Sequence, residues 1–172
     1  MKKVGNDRLL EDGVSPTLLY SGETVYDQLQ NKGVPSYQLF RKSYLDTAYS
    51  AVMHKGGTAI PYVNGADMLV NLRQLLARKT GRMYVHVYWE ALDGVAHSYG
   101  PHTEQYRAEL TELTRLLQDE FLNSLSRADA EDTLLLITAD HGHISQPKEE
   151  TIYLSDYPEI MELLAKSPSG NV

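Results

Sequence analysis

The sequence contains no cysteine among its 172 residues, and this absence removes two kinds of chemistry at once. Without thiols the chain forms no disulfide framework and offers no thiolate ligand to a metal. Any bound metal must therefore be held by aspartate, glutamate, histidine or water. The lack of cysteine leaves open whether the protein works in an oxidising or a reducing compartment.

Positive charge and long apolar runs are also scarce. Lysine and arginine number 16 against 23 aspartate and glutamate residues, so the formal net charge is -7 at pH 7. Because no cluster of basic residues appears, we expect no nucleic acid polymer as a partner. A small anionic substrate would then need positive charge from bound metals. No apolar run approaches the roughly 18 residues of a membrane helix, so we expect a soluble chain without a membrane segment, with the cytoplasm slightly favoured.

The apolar residues that are present suffice for one domain, since they make up 42% of the chain. Their spacing predicts helices at 24–32, 44–53, 65–79, 102–125 and 158–166, and strands at 36–40, 58–63, 83–89 and 133–138. Pro61 restricts the second strand to a sheet edge or a loop. Strands that alternate with helices predict an α/β fold, here a three-layer α/β/α sandwich with a mostly parallel sheet.

Two of the predicted strands end in a carboxylate followed by an imidazole. Asp93 and His97 follow the third predicted strand, and Asp140 and His141 follow the fourth. Because the carboxyl ends of parallel strands share one edge of a sheet, we expect these four side chains to converge. Such ligands suit zinc or manganese, and two cations roughly 3.5–4 Å apart can clamp the attacking and leaving oxygens of a phosphoryl transfer.

Each motif alone also has a purely structural explanation. Asp93 could hold an Asx turn before Gly94, with His97 four residues later by chance. An acid and two imidazoles directly after a buried strand, as in the DHGH run at 140–143, are costly unless they bind something. The presence of both motifs at equivalent strand ends favours a metal site.

The run YVHVYWEALDGVAHSYGP, followed later by LLLITADHGH, resembles the core of the type I phosphodiesterase/nucleotide pyrophosphatase family of the alkaline phosphatase superfamily. In that family, a strand ending in Asp-x-x-x-His and a Gly-Pro break precede a long helix, and a later strand ends in Asp-His-Gly. The run SGETVYDQLQNKG resembles a further helix of the family and comes in the expected order. The resemblance covers residues 22–143 and implies an alkaline-phosphatase-like fold.

The resemblance also implies roles for single residues. Asp93 and His97 match ligands of one metal, and Asp140 and His141 match ligands of the other. Two divalent metals are implied, with zinc as first choice and manganese as second. The family completes the sites with a downstream histidine, an upstream aspartate and a nucleophilic threonine or serine. No residue here matches these at the family's spacing, so we expect residues 1–172 to be the central part of a longer catalytic domain, with a partial site and little activity.

The other histidines have less specific surroundings in the sequence. His143 stands where relatives often have an apolar residue or asparagine, and it is expected to contact the substrate or to stabilise its loop. His86, inside a predicted strand, is expected to be a satisfied core residue. His54 and His102 are expected to be exposed.

The function implied by the resemblance is metal-dependent hydrolysis of phosphodiester or nucleotide pyrophosphate bonds in a small phosphate-ester substrate. Two alternatives stay open at this point. One is a non-catalytic α/β module with a residual metal site. The other is a phosphotransferase similar to the metal-dependent phosphoglycerate mutases, which also carry a TADHG-like strand end. The runs SGETVYDQLQNKG and LDGVAHSYGP favour the phosphodiesterase. The oligomeric state is not specified by the sequence.

Overall fold

The computed structural model describes residues 13–18 and 20–166, and a parallel sheet of three strands forms its centre. Residues 1–12, 19 and 167–172 lie outside the described residues. In the order in which they lie side by side, the strands are β2 (Thr58–Tyr62), β1 (Ser36–Arg41) and β3 (Tyr84–Val87). The α/β class and the parallel sheet are thereby confirmed. Pro61 lies on an edge strand, as its missing N–H requires.

Three α-helices alternate with these strands along the chain, and four more follow β3 in the described residues. They are α1 (Val25–Asn31), α2 (Ala48–Met53), α3 (Gly65–Ala77), α4 (Ala91–Tyr99), α5 (Glu104–Leu116), α6 (Arg127–Glu131) and α7 (Pro158–Ala165). The predicted helix at 44–53 begins only at Ala48, because the Thr47 side chain accepts the Ser50 N–H and caps it. Helix α5 continues into a π-helical turn, Leu117–Phe121. Among the described residues, no helix is long and apolar enough to cross a membrane.

Helices α3 and α5 cover one face of the sheet and form the main core with it. Leu39, in the central strand, is fully buried and lies opposite Ile60 on one side and Val87 on the other. The buried members of this core are Leu39, Tyr62, Met68, Leu69, Leu72, Leu76 and Phe121. The apolar stripe read from the sequence of α3 is therefore the stripe that packs on the sheet.

Helices α1 and α2 cover the opposite face, which completes an α/β/α arrangement of three layers. The Tyr26 hydroxyl lies 3.2 Å from His86 Nδ1, so His86 is hydrogen-bonded, as predicted, although it is half-buried rather than in the core. The expectation that His54 is exposed is wrong. Its ring packs 4.5 Å from that of Phe40, and burial lowers the pKa of both His54 and His86.

The lowered pKa values of His54 and His86 predict that the free energy of unfolding decreases in mild acid. Their folded-state pKa values lie below the ordinary 6.5, so the unfolded chain binds more protons once the pH drops below that value. The stabilisation is therefore complete above pH 6.5 and is lost as the pH falls through the folded pKa values. Urea unfolding between about pH 5 and pH 8 measures it. His54→Phe is expected to weaken the pH dependence of the free energy of unfolding, whereas His102→Phe, at an exposed position, should leave it unchanged. The prediction is wrong if His54→Phe has the same pH dependence as the wild type.

A two-glycine turn before β2 is expected to tolerate no side chain at its second position. A Cβ on Gly57 would overlap Gln38 Nε2, which donates to the His54 carbonyl at 2.9 Å. Since Gln38 is fully buried, displacing its amide should cost about 1–3 kcal/mol in Gly57→Ala. Gly81→Ala is the matched control, because nothing lies within 4 Å of a Cβ there. Equal unfolding midpoints for the two variants would refute the prediction.

The strand predicted at 133–138 is absent from the described structure. Leu134, Leu136 and Ile137 are instead 83%, 79% and 74% exposed. Their apolar and β-branched character favours a strand, but a strand also needs a neighbour to share its backbone hydrogen bonds. No strand in the described part of the chain lies beside this segment to supply those bonds.

Candidate metal centre

Helix α4 places Asp93 and His97 on one side of the carboxyl end of β3. The helix starts at Ala91, and residues four apart on a helix are neighbours. His97 Nε2 consequently lies 3.5 Å from Asp93 Oδ1. The chain then leaves the helix at Gly100, whose φ of 92° suits glycine. The helical turn that the i, i+4 spacing required is thus present, although no separate helix was predicted there.

The second motif reaches the same carboxylate although its predicted strand is missing. His143 Nε2 lies 3.1 Å from Asp93 Oδ1, and His141 Nε2 lies 3.8 Å from that oxygen. The His141 and His143 rings are 5.2 Å apart in an edge-to-face arrangement. Three imidazole nitrogens from two separate parts of the chain therefore surround one carboxylate oxygen.

Asp140 is near this group without belonging to its centre. Its Oδ1 accepts the His141 backbone N–H at 3.0 Å, and its Oδ2 lies 3.9 Å from His141 Nε2. The ligand atoms of Asp93, His141 and His143 all lie within 4.8 Å of one another, whereas Asp140 and His97 lie outside that group. The structure thus brings the predicted residues into one neighbourhood and joins His143 to them.

The charges of the group favour an ionised carboxylate. The hydrogen bond from His143 lowers the pKa of Asp93 against the opposing effect of desolvation, and the nearby His97 and His141 lower it further. The pKa of His141 is raised by its hydrogen bond to the Gly142 carbonyl and then by Asp140 and Asp93. Asp93 is therefore in the form that binds cations at neutral pH.

His143 was expected to contact the substrate or to stabilise its loop, and no sequence pattern paired it with Asp93 or with Tyr106. Tyr106 Oη, on helix α5, lies 3.4 Å from His143 Nδ1. The one signal in the sequence was the spacing of His141 and His143, because residues two apart in an extended segment share a side. The partners themselves lie 50 and 37 residues away in the chain.

The donor set fits a divalent metal of the zinc or manganese kind. It combines one carboxylate oxygen with imidazole nitrogens at the surface of the protein, where further positions stay open to water or substrate. Asp93 is only partly exposed, which limits its competing contacts with water. A cation bound to these side chains would concentrate positive charge at the carboxyl end of β3.

A small cavity of about 210 Å³ adjoins the start of α4. Arg41, Trp89 and Glu90 line it, and Glu90 is held by Arg41 Nη1 at 3.0 Å and by the Tyr62 hydroxyl at 2.9 Å. Because Glu90 directly precedes Ala91, the first residue of α4, these contacts hold the start of the helix that carries Asp93. The residues that line the cavity thus help to position the Asp93 carboxylate.

Comparison with known protein families identifies the chain's relatives. The family model for type I phosphodiesterase / nucleotide pyrophosphatase matches residues 5–172. The match includes both strand-end motifs and confirms the resemblance read from them. No curated protein and no solved structure matches the chain.

Proposed function

The chain belongs to the type I phosphodiesterase/nucleotide pyrophosphatase family, a family of hydrolases, and we propose that it supplies the metal-binding part of a phosphodiester or nucleotide pyrophosphate hydrolase. The observation that carries this proposal is the convergence of two separate motifs on one oxygen. His97 of the first motif and His141 of the second lie 3.5 and 3.8 Å from Asp93 Oδ1. Imidazoles from two motifs beside one carboxylate form a set of donor atoms that suits a divalent cation.

Within this proposal, Asp93, His97, Asp140 and His141 hold two divalent metals, zinc by preference and manganese as an alternative. The bound metals would supply positive charge that polarises the phosphate and stabilises the attacking and leaving oxygens. The protein's own part is to keep the Asp93 carboxylate ionised and to orient the imidazoles around it. Since the chain carries a net charge of -7, a phosphate ester gains little attraction from the rest of the surface.

The nucleophile is proposed to come from residues other than those described. No threonine or serine here matches the family's nucleophile. The exposed segment 133–138 supports an incomplete sheet, since a further strand would pair its backbone and helices on the two faces of the sheet would cover its apolar side chains. The isolated chain should therefore bind a phosphate ester through metal but hydrolyse bis-p-nitrophenyl phosphate very slowly.

Binding of adenosine monophosphate tests the proposal, because this nucleotide is a product of pyrophosphate cleavage. We expect the zinc-loaded chain to bind it saturably and the chelator-treated chain to lose that binding. Phosphoglycerate is the comparison ligand, since a mutase-like protein would prefer it. A zinc-loaded chain that binds neither ligand would contradict the proposal and favour a non-catalytic module. Equal nucleotide binding with and without zinc would also contradict it.

A further inference from the structure

We propose that His143 is a positioning residue of the metal centre: its ring donates a hydrogen bond that holds the Asp93 carboxylate in place, and Tyr106 holds the ring. This inference rests on the function proposed above, in which Asp93 and His97 bind one of the two metals. It places His143 outside both sets of metal ligands and gives it a task that neither strand-end motif assigns. Three features of the ring support this role: its distance from Asp93, the position of its proton and its burial.

The Asp93 carboxylate has room for a hydrogen bond and a metal on the same oxygen. His143 Nε2 lies 3.1 Å from Asp93 Oδ1, which is an ordinary hydrogen-bond distance. His97 Nε2 lies 3.5 Å from the same atom, close to the roughly 3.3 Å that separates two ligands each about 2 Å from a tetrahedral zinc. Since a carboxylate oxygen has two lone pairs, Oδ1 can accept the N–H of His143 while it binds an ion together with His97.

The partners of the His143 ring determine which of its nitrogens carries the proton. An ionised carboxylate only accepts hydrogen bonds, so Nε2 carries a proton and donates to Asp93 Oδ1. In the neutral ring Nδ1 then has a lone pair, and the Tyr106 hydroxyl, 3.4 Å away, donates to it. Two hydrogen bonds in sequence thus join helix α5, which carries Tyr106, to the carboxylate on α4. With the proton on Nε2, the ring has no lone pair at that nitrogen for a metal.

Burial restricts the His143 ring more than the other imidazoles near Asp93. Its side chain is 18% exposed, against 55% for His141 and 78% for His97. The Tyr106 and His143 rings lie 5.7 Å apart, centre to centre, in an edge-to-face arrangement that restricts the imidazole further. A ring that is already held loses little conformational entropy when its hydrogen bond forms. Residues that hydrogen-bond to a metal ligand in this way orient the ligand for the ion.

Calorimetric titration of zinc into the full chain and into single variants tests this role. His143→Leu, which loses the N–H donor, is expected to weaken zinc binding by about 10- to 100-fold, the range for outer partners of metal ligands. His143→Gln keeps an N–H donor at the end of its side chain and should recover most of that loss. Tyr106→Phe should weaken binding by less than His143→Leu does, because it keeps the donor and frees only the ring. His102→Leu, at an exposed position, is the control and should bind zinc as the wild type does.

X-ray absorption of the zinc-loaded proteins distinguishes a positioning residue from a ligand. A positioning role predicts the same number of imidazoles around zinc in the wild type and in His143→Leu. One imidazole fewer in that variant would make His143 a ligand and overturn the inference. Equal losses of affinity in His143→Leu and His143→Gln would overturn it too, because the N–H donor would then have no part in zinc binding.

The remaining outcomes separate this inference from the proposed function. If Asp93→Ala abolishes zinc binding while His143→Leu keeps wild-type affinity, the inference fails and the proposed metal function stands. If His143→Leu fails to fold, Tyr106→Phe, which lacks a single hydroxyl, decides the question, and wild-type affinity in that variant overturns the inference. If the wild type binds no zinc, the inference and the proposed function both fail.

Discussion

Replacing Asp93 with alanine is expected to lower the affinity of the chain for zinc by at least about 100-fold. Asp93 Oδ1 is the atom around which the imidazoles of His97, His141 and His143 lie, at 3.1 to 3.8 Å. Without the carboxylate, these rings have no common centre and the ion loses the anionic ligand that offsets its charge. Calorimetric titration of zinc measures the change directly.

The control for this prediction is Asp156→Ala, which removes a carboxylate from an exposed turn at Leu154–Asp156 and leaves the net charge equal to that of Asp93→Ala. Its affinity for zinc should equal that of the wild type. Equal weakening in both variants would show that general surface charge attracts zinc, and would remove the special role of Asp93. Circular dichroism of both proteins verifies that the fold is kept.

The second large effect is on stability. Phe121→Ala should lower the free energy of unfolding by about 3–5 kcal/mol, since the substitution leaves a cavity in the main core. Phe121 is 1% exposed and packs in the cluster that includes Leu39 and Leu72. The π-helical turn Leu117–Phe121 carries this ring into the core beside α3.

Leu110→Ala is the matched control, on the helix that leads into that turn. Leu110 lies eleven residues before Phe121 in the helix predicted at 102–125, a spacing that puts both on one apolar stripe, yet the leucine is 44% exposed. Its replacement should cost less than about 1 kcal/mol, as is usual for surface positions. Urea unfolding measures the free energy of unfolding of both variants. Comparable decreases in the two would mean that the apolar stripe is buried along its whole length, and would contradict the prediction.

Elements with a clear apolar period of their own could be predicted from the sequence alone. The helices predicted at 65–79 and 24–32 are α3 and α1, and their bounds agree within about two residues. Thr24 caps α1, since its side chain accepts the Asp27 N–H. Pro61 correctly indicated an edge position. These features depend on neighbours in the chain, which the sequence displays directly.

Features that depend on distant partners were harder to predict. The segment 133–138 has the composition of a strand, but its state is decided by whether another strand lies beside it. Helix α4 was missed although Leu92, Val95 and Tyr99 recur at helical spacing, because Gly94 after Asp93 is typical of a turn at a strand end. The place of His143 depends on Asp93 and Tyr106, neither of which is near it in sequence.

The most direct test of the account is a calorimetric titration of zinc into the chain, compared with the double variant Asp140→Ala, His141→Ala. Both substitutions lie in the second motif, so they leave the Asp93 and His97 pair of α4 unchanged. If the two motifs form one metal centre, the wild type binds zinc saturably and the double variant loses that binding. Undiminished binding in the double variant, or no binding by the wild type at millimolar zinc, would contradict the account.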